Sequence, residues 1–374
     1  MKIVFIIDQV YLHGGIERVL SIKANFLASQ QENTIHIITT EQQNKKPCYN
    51  FHPNIQFTDL NINYHRTKSY FHPKNLLKVP NHILKVKTAL KRINPDVVVV
   101  CSHSADTYFM PFVLRHMPKV KEFHYSKFIE IDKRQHASGM FKRLFFKFAD
   151  FVETKYDKLV VLNPDEALYY KSKNTVTIPN PLTFYPETVS KLDSNVVLSA
   201  GRIAPVKRYD LLIDIWEIVH KKNNTLQLHI YGEGEASYVA GLQKKIEDKK
   251  LTETVFLKGA TNHIQNKMLH SSLFVMSSDN ECFPLVLLEA QACGLPIIAF
   301  DCPHGPKNIV DKGTGILINM HEVETFAEAI LKTMSNTHER KLWGTNARLN
   351  AAKYSIEPVM EIWINMFKAL KTCK

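Results

Sequence analysis

Short runs of β-branched and aliphatic residues alternate with longer amphipathic stretches along the whole of this 374-residue chain. That alternation restricts the fold more than any other feature. In the first half the runs are Lys2–Ile7, Ile35–Thr39, Ile55–Asp59, Asp96–Cys101, Lys158–Leu162 and Thr175–Ile178. In the second half they are Asn195–Ser199, Leu226–Tyr231, Thr254–Leu257, Leu273–Ser277, Pro296–Phe300 and Gly315–Ile318. Helical patterns lie between them, among them Leu76–Ile93, Tyr209–Lys221, Ala236–Lys249, Glu322–Met334 and His338–Lys353. Apolar strands separated by helices indicate parallel sheets covered on both faces. There are too many strands for one sheet and the chain is long for one core, so two doubly wound α/β domains are expected. The proline-broken segment from Asn180 to Glu187 reads as the linker, which gives domains at 1–187 and 188–355. A last helix, 356–374, follows Ser355, a good N-cap, and reaches about Leu370.

Several classes drop out. Runs such as Val97–Cys101 are far too short to span a bilayer, and the N-terminal run is ended early by Asp8, so it reads as a buried strand rather than a signal peptide. The six cysteines (Cys48, Cys101, Cys282, Cys293, Cys302 and Cys373) contain no C-x-x-C pair. Free thiols and a cytoplasmic location are expected.

Charge is unevenly distributed. Residues 1–187 hold 26 Lys and Arg against 16 Asp and Glu, whereas residues 188–374 hold 22 against 20. Within the first half, Arg115, Lys119, Lys121, Lys127, Lys133, Arg134, Lys142, Arg143 and Lys147 are interleaved with six phenylalanines and only three acids. That composition suits an anionic membrane surface or an acidic acceptor, and equally a solvated basic face over buried rings. No nucleic-acid recognition motif accompanies it.

The chemistry concentrates late in the chain. In Asp279-Asn280-Glu281-Cys282-Phe283-Pro284-Leu285-Val286-Leu287-Leu288-Glu289-Ala290, Pro284 favours a first helical turn. Glu281 then falls on the loop entering the helix, and Glu289 lies inside it in an apolar run where a carboxylate needs a partner. Two acids flanking a helix N-terminus that can meet an anion suit a nucleotide sugar, with hydroxyls at both ends and diphosphate between. Three earlier loops follow strands. Gly14-Gly15 could let backbone approach a ligand, or could be a plain turn. It is no G-x-G-x-x-G, which disfavours a dinucleotide enzyme. Gly201-Arg202 through Lys207 offers two cations for a diphosphate, and Gly232-Glu233-Gly234 shapes a pocket or simply a turn.

Taken together, Gly201-Arg202…Lys207, Gly232-Glu233-Gly234, Glu281-x7-Glu289 and Ala290-Gln291-Ala292-Cys293-Gly294, in that order, resemble the retaining glycosyltransferases of family 4. Gly14-Gly15-Ile16-Glu17-Arg18 and Ile178-Pro179-Asn180-Pro181 add to a likeness covering nearly the whole chain. The resemblance implies a GT-B fold: two Rossmann-like domains facing across a cleft, an N-terminal acceptor domain and a C-terminal donor domain, with the last helix returning to the first.

It also implies roles. Arg202 and Lys207 would neutralise the leaving diphosphate, Glu281 would hold donor-sugar hydroxyls and Glu289 the ribose. Amides around Phe283, Leu285 and Val286 would meet phosphate, with Gly232 shaping the pocket and Gly15 allowing approach to the donor. His124, in Lys121-Glu122-Phe123-His124, would position the acceptor and stabilise charge near the anomeric carbon, with His103 as competitor. No covalent nucleophile is expected. No Asp-x-Asp occurs, so neither metal nor other cofactor is expected.

Cys282 stands where many members of that family have glycine, so the sugar end of the pocket is expected to differ from theirs. The expected activity is transfer from a nucleotide-diphosphate sugar, UDP-linked, to a glycan or lipid-linked glycan in cell-surface polysaccharide assembly such as lipopolysaccharide or capsule, at the cytoplasmic face of a membrane. A UDP-sugar epimerase and a non-catalytic nucleotide-sugar-binding protein are the alternatives.

Overall fold

Alternate residues of the first strand feed two different cores: Ile3, Phe5 and Ile7 join one apolar cluster, Val4 and Ile6 another. This is what a strand buried on both faces must do. The computed structural model describes residues 1–135 and 139–372. They divide into two units: Met1–Pro181 together with the helix Ile356–Thr372, and Leu182–Ser355.

In the first unit seven strands form one sheet: β1 (Lys2–Ile7), β2 (Thr34–Thr39), β3 (Gln56–Asp59), β4 (Val97–Val100), β5 (Lys119–Glu122), β6 (Lys158–Val161) and β7 (Thr175–Thr177). Their order is β3-β2-β1-β4-β5-β6-β7, and every pairing is parallel. The C-terminal helix sends Val359, Trp363 and Phe367 into the cluster of Ile3 and Phe5, so the end of the chain completes one face of this sheet. Each such aromatic contributes about 1.5–3 kcal/mol by leaving water.

The second unit carries β8 (Val196–Ala200), β9 (Gln227–Tyr231), β10 (Val255–Leu257), β11 (Leu273–Met276), β12 (Ile297–Phe300) and β13 (Gly315–Ile318). This sheet is also parallel, ordered β10-β9-β8-β11-β12-β13, with Trp216, Phe300 and Phe326 fully buried against it.

Four expectations need correction. Lys119-Val120-Lys121-Glu122 is a central strand, although its polar composition hides it from a search for apolar runs. The Lys119 ammonium donates to the carbonyls of Leu114 and Met117, both at 2.9 Å, and Lys121 donates to Val100 O at 3.2 Å and Glu122 O at 2.9 Å. Carbonyls thus replace water around charges that would otherwise be costly to bury.

The basic face is smaller than its composition suggested. Lys119, Lys121 and Lys127 are buried, Lys127 on the Glu153 carboxylate, while Arg134 pairs with Glu130 and Asp150. The Lys133 side chain and Cys373 lie outside the described residues.

The helix expected over Leu76–Ile93 begins at Val79, because Pro80 has no N–H and fits only a first turn. The chain leaves the first unit at Pro181, ahead of the 187/188 break placed on the prolines. Leu182 N–H donates to Tyr354 O at 2.7 Å, and the Thr183 hydroxyl donates to Glu289, which ties this segment to the second unit.

Candidate functional site

Four loops at the carboxyl ends of β8, β9, β11 and β12 are fastened to one another in the second unit, at the edge where parallel sheets bind ligands. Gly201 N–H donates to Tyr231 O at 3.0 Å and Ile203 N–H to Glu233 O at 2.7 Å, seating the first loop on the Gly232-Glu233-Gly234 turn. Gly232 has φ +154°, and a Cβ there would lie 1.9 Å from Gly201 O. Only glycine permits that approach.

The first loop is also stapled to the loop after β11. Asp279 N–H donates to Val206 O at 2.8 Å, and the Ser277 hydroxyl contacts the carbonyls of Lys207 and Arg208 at 2.9 and 3.1 Å. The Arg208 guanidinium reaches the carboxylates of both Asp210 and Asp279 at 3.2 Å. No sequence motif marks Arg208, Ser277 or Asp279 for these contacts. Their signal was indirect: Ser277 and Asp279 follow β11 directly, Arg208 closes the loop after β8, and those two strands are neighbours.

Lys207 and Glu281 meet here as an ion pair, their side chains 21% and 13% exposed. The loop Asp301–Pro306, which sequence patterns did not single out, holds the backbone of Glu281. Glu281 O accepts from His304 N–H at 2.8 Å and Gly305 N–H at 2.9 Å, and Glu281 N–H donates to Pro303 O at 3.0 Å. A side chain at position 305 would press on Pro284 Cδ at 2.5 Å.

Helix Leu285–Ala292 follows directly. Pro284 is its cap, at φ −72° and ψ 95°, rather than its first helical residue. The reason is packing just upstream: Cys282 and Phe283 are drawn into the core, and the Phe283 ring lies 5.7 Å from that of Tyr354. The amides of Phe283, Leu285 and Val286 have no backbone acceptor among the described residues, which leaves a helix mouth able to receive an anion. Glu289 is buried in this helix and accepts the Thr183 hydroxyl. Arg202 is exposed and makes no ion pair among the described residues. Cys282 is not among the residues with positive φ, so its replacement of glycine costs no backbone strain.

The first unit holds the remaining candidates. His124 follows β5, with Nε2 3.2 Å from Glu122 Oε1. Burial pushes the Glu122 pKa up, but the ammonium of Lys23 and the imidazole of His124 outweigh it and hold the carboxyl well below its usual range. Lys23, which no sequence pattern picks out, ion-pairs with Glu122 and sits 4.4 Å from the Trp363 ring centroid. His103 is enclosed by rings instead, 5.9 Å from Phe123 and 4.6 Å from Tyr125, and desolvation drives its pKa well down. Gly15 opens helix Gly15–Ala28, and a Cβ there would meet nothing within 4 Å.

Comparison with known proteins fits this geometry. The family model described as "Glycosyl transferases group 1" matches residues 184–350. The chain is 35% identical over 220 residues to the poly(ribitol-phosphate) alpha-N-acetylglucosaminyltransferase of Staphylococcus aureus, covering 58% of this chain and 43% of that protein. The chain thus spans less than half the length of this relative. With the amylovoran biosynthesis glycosyltransferase AmsD of Erwinia amylovora it is 28% identical over 374 residues, covering 97% of this chain and 98% of the relative. A crystal structure of a mutant S. aureus TarM with fondaparinux, alpha-GlcNAc-glycerol and UDP superposes with TM-score 0.74 at 19% identity, covering 98% and 99% of the two chains. The second unit thus matches the group 1 glycosyl transferase model, and the chain has the GT-B fold, with two parallel Rossmann-like sheets.

Proposed function

We propose that the chain transfers a sugar from a UDP-linked donor, with retention of anomeric configuration and without a metal ion, to a hydroxyl of a glycan or lipid-linked glycan in the assembly of a cell-surface polymer. The observation that carries this reading is the Lys207–Glu281 pair at the mouth of helix Leu285–Ala292, with Glu289 buried further along the same helix. The cell-surface part draws on the relatives, one named for poly(ribitol-phosphate) and one for amylovoran biosynthesis, and the nucleotide on the UDP bound to TarM.

In this reading Lys207, Arg202 and the amides of Phe283, Leu285 and Val286 stabilise charge gathering on the leaving diphosphate. Glu281 orients sugar hydroxyls, and Lys207 beside it keeps its charge from repelling phosphate. Glu289 takes the ribose hydroxyls, with Gly232 shaping the nucleotide end. The bond from the anomeric carbon to the β-phosphate oxygen breaks, the acceptor oxygen bonds to the same face, and its proton passes to the departing phosphate. His124, braced by Glu122, helps to position the acceptor and to stabilise charge near the anomeric carbon, and Gly15 gives backbone room beside the donor.

UDP release measured against a panel of nucleotide sugars, with NMR of the product anomer, tests the proposal. An inverted product, or no release with any donor in the presence of glycan acceptors, would remove it.

A further inference from the structure

Helix Met140–Glu153 carries a surface that the donor reaction does not use. Its inner face is anchored by buried Ala149, Val152 and Glu153. Its outer face presents Met140, Phe141, Leu144, Phe148 and Phe151, all exposed, with Phe141 at 84%. Their spacing places them on one stripe roughly 100° wide. Single exposed apolar side chains are ordinary, but a continuous stripe of them marks a contact surface.

Cations border that stripe. Arg143 and Lys147 are exposed along one edge and make no ion pair among the described residues. At its C-terminal end the Phe151 ring stacks on Phe112 at 6.3 Å, with Arg115 5.8 Å from the Phe112 centroid and Lys155 4.7 Å from that of Phe151. Arg115 and Lys155 also line a cavity of about 390 Å³ that opens beside these two rings. The acids near this edge are occupied: Asp150 pairs with Arg134 and Lys171, and Asp157 accepts from Lys119 N–H at 2.7 Å.

A partner for this face must be apolar inside and anionic at its rim. A second copy of the chain would bring like charges together, and nucleic acid, although its bases stack on rings, has no apolar interior to take up Met140, Phe141 and Leu144 together. An anionic phospholipid surface meets both demands. We propose that helix Met140–Glu153 lies in the plane of an anionic membrane, with Phe141, Leu144 and Phe148 below the headgroups and Arg143, Lys147, Arg115 and Lys155 among their phosphates. The inference is independent of the donor assignment, and it narrows the basic segment of the sequence to the cations that are free to act.

Vesicle flotation tests it, using phosphatidylglycerol–phosphatidylcholine vesicles, phosphatidylcholine vesicles, and two double variants, Phe141→Glu with Leu144→Glu and Arg143→Glu with Lys147→Glu. The protein is expected to float at least tenfold more with the anionic vesicles at low salt, and each double variant to lose at least tenfold while its circular-dichroism melting curve stays unchanged. Should the apolar pair fail to fold, the charge pair, both of whose residues are exposed, decides alone. Wild-type protein that stays soluble at low salt overturns the proposal. So does equal binding to both vesicle types, flotation of the well-folded variants like wild type, or a dimer that the apolar pair dissociates without any vesicle binding.

Discussion

Lys207 and Glu281 lie 74 residues apart in sequence yet form one ion pair, with the Glu281 backbone held by the loop after β12. If this pair serves the leaving group, removing the cation harms twice, by lost phosphate charge and by an exposed carboxylate facing the phosphate. Lys207→Ala is expected to lower kcat/KM by about 10²–10³-fold and to weaken UDP binding, both measurable by UDP release and calorimetry. Glu281→Gln should instead leave UDP affinity within a few fold and lower kcat, since it spares the nucleotide end. Equal kinetics for wild type and Lys207→Ala would overturn the assignment.

Glu289 sits in an apolar helix with the Thr183 hydroxyl donating to it. Glu289→Ala is expected to raise the Kd for UDP by roughly 10–100-fold, as two hydrogen bonds to ionised oxygen are lost. Thr183→Val should cost about 1 kcal/mol of stability with a much smaller effect on UDP, because the carboxylate survives. Thermal unfolding with and without UDP separates the two.

Gly232 cannot be replaced cheaply. With φ +154° and Gly201 O only 1.9 Å from where a Cβ would stand, Gly232→Ala must push apart the loops after β8 and β9. A loss of a few kcal/mol is expected, seen as a fall in Tm and in UDP affinity together. Gly15→Ala, with open space around its Cβ, should leave Tm unchanged.

Asp8, at the end of β1, has a pKa pushed up to about 7 by burial and by the nearby Asp106 and Glu41. The unfolded carboxyl titrates near 4, so folding takes up a proton between about pH 4 and 7. The stability linked to this group is therefore fully present below about pH 4 and is lost as pH rises through 7. Asp8→Asn is expected to raise stability at pH 8 by roughly 2–4 kcal/mol and to give little or no gain near pH 4. A Tm series across that range that shows the same difference at every pH would refute burial of a titrating carboxyl as the cause.

Lys23→Met would leave Glu122 buried without its cation, at a cost of roughly 3–5 kcal/mol, and adding Glu122→Gln should recover most of it. If Glu122 also positions His124, the double variant will regain Tm but not kcat.

Much of the architecture was legible in the sequence because parallel strands buried on both faces must be apolar throughout, and their alternation with helices survives as a pattern. Arg202, Lys207, Glu281 and Glu289 could be picked out from their chemistry at loop and helix ends, while the amides of Phe283, Leu285 and Val286 and the separate roles came from the family resemblance. Their contacts could not. β5 escaped notice because Lys119 and Lys121 are buried against carbonyls and Glu122 against Lys23, a partner 99 residues away. Hydropathy scores a lysine by its side chain alone and does not count the carbonyls that make its burial tolerable, whether from the turn before it (Leu114, Met117) or from the neighbouring strand (Val100). The same holds for the basic segment, where composition counted nine cations but only the fold separates Lys119, Lys121 and Lys127, turned inward, from Arg143 and Lys147, turned out beside Phe141 and Leu144. Sequence by itself determined the alternation of helices with every strand except β5, and the chemical types available at their ends. Tertiary structure decided which charges neutralise one another and which face water, because burial and pairing are properties of positions in space.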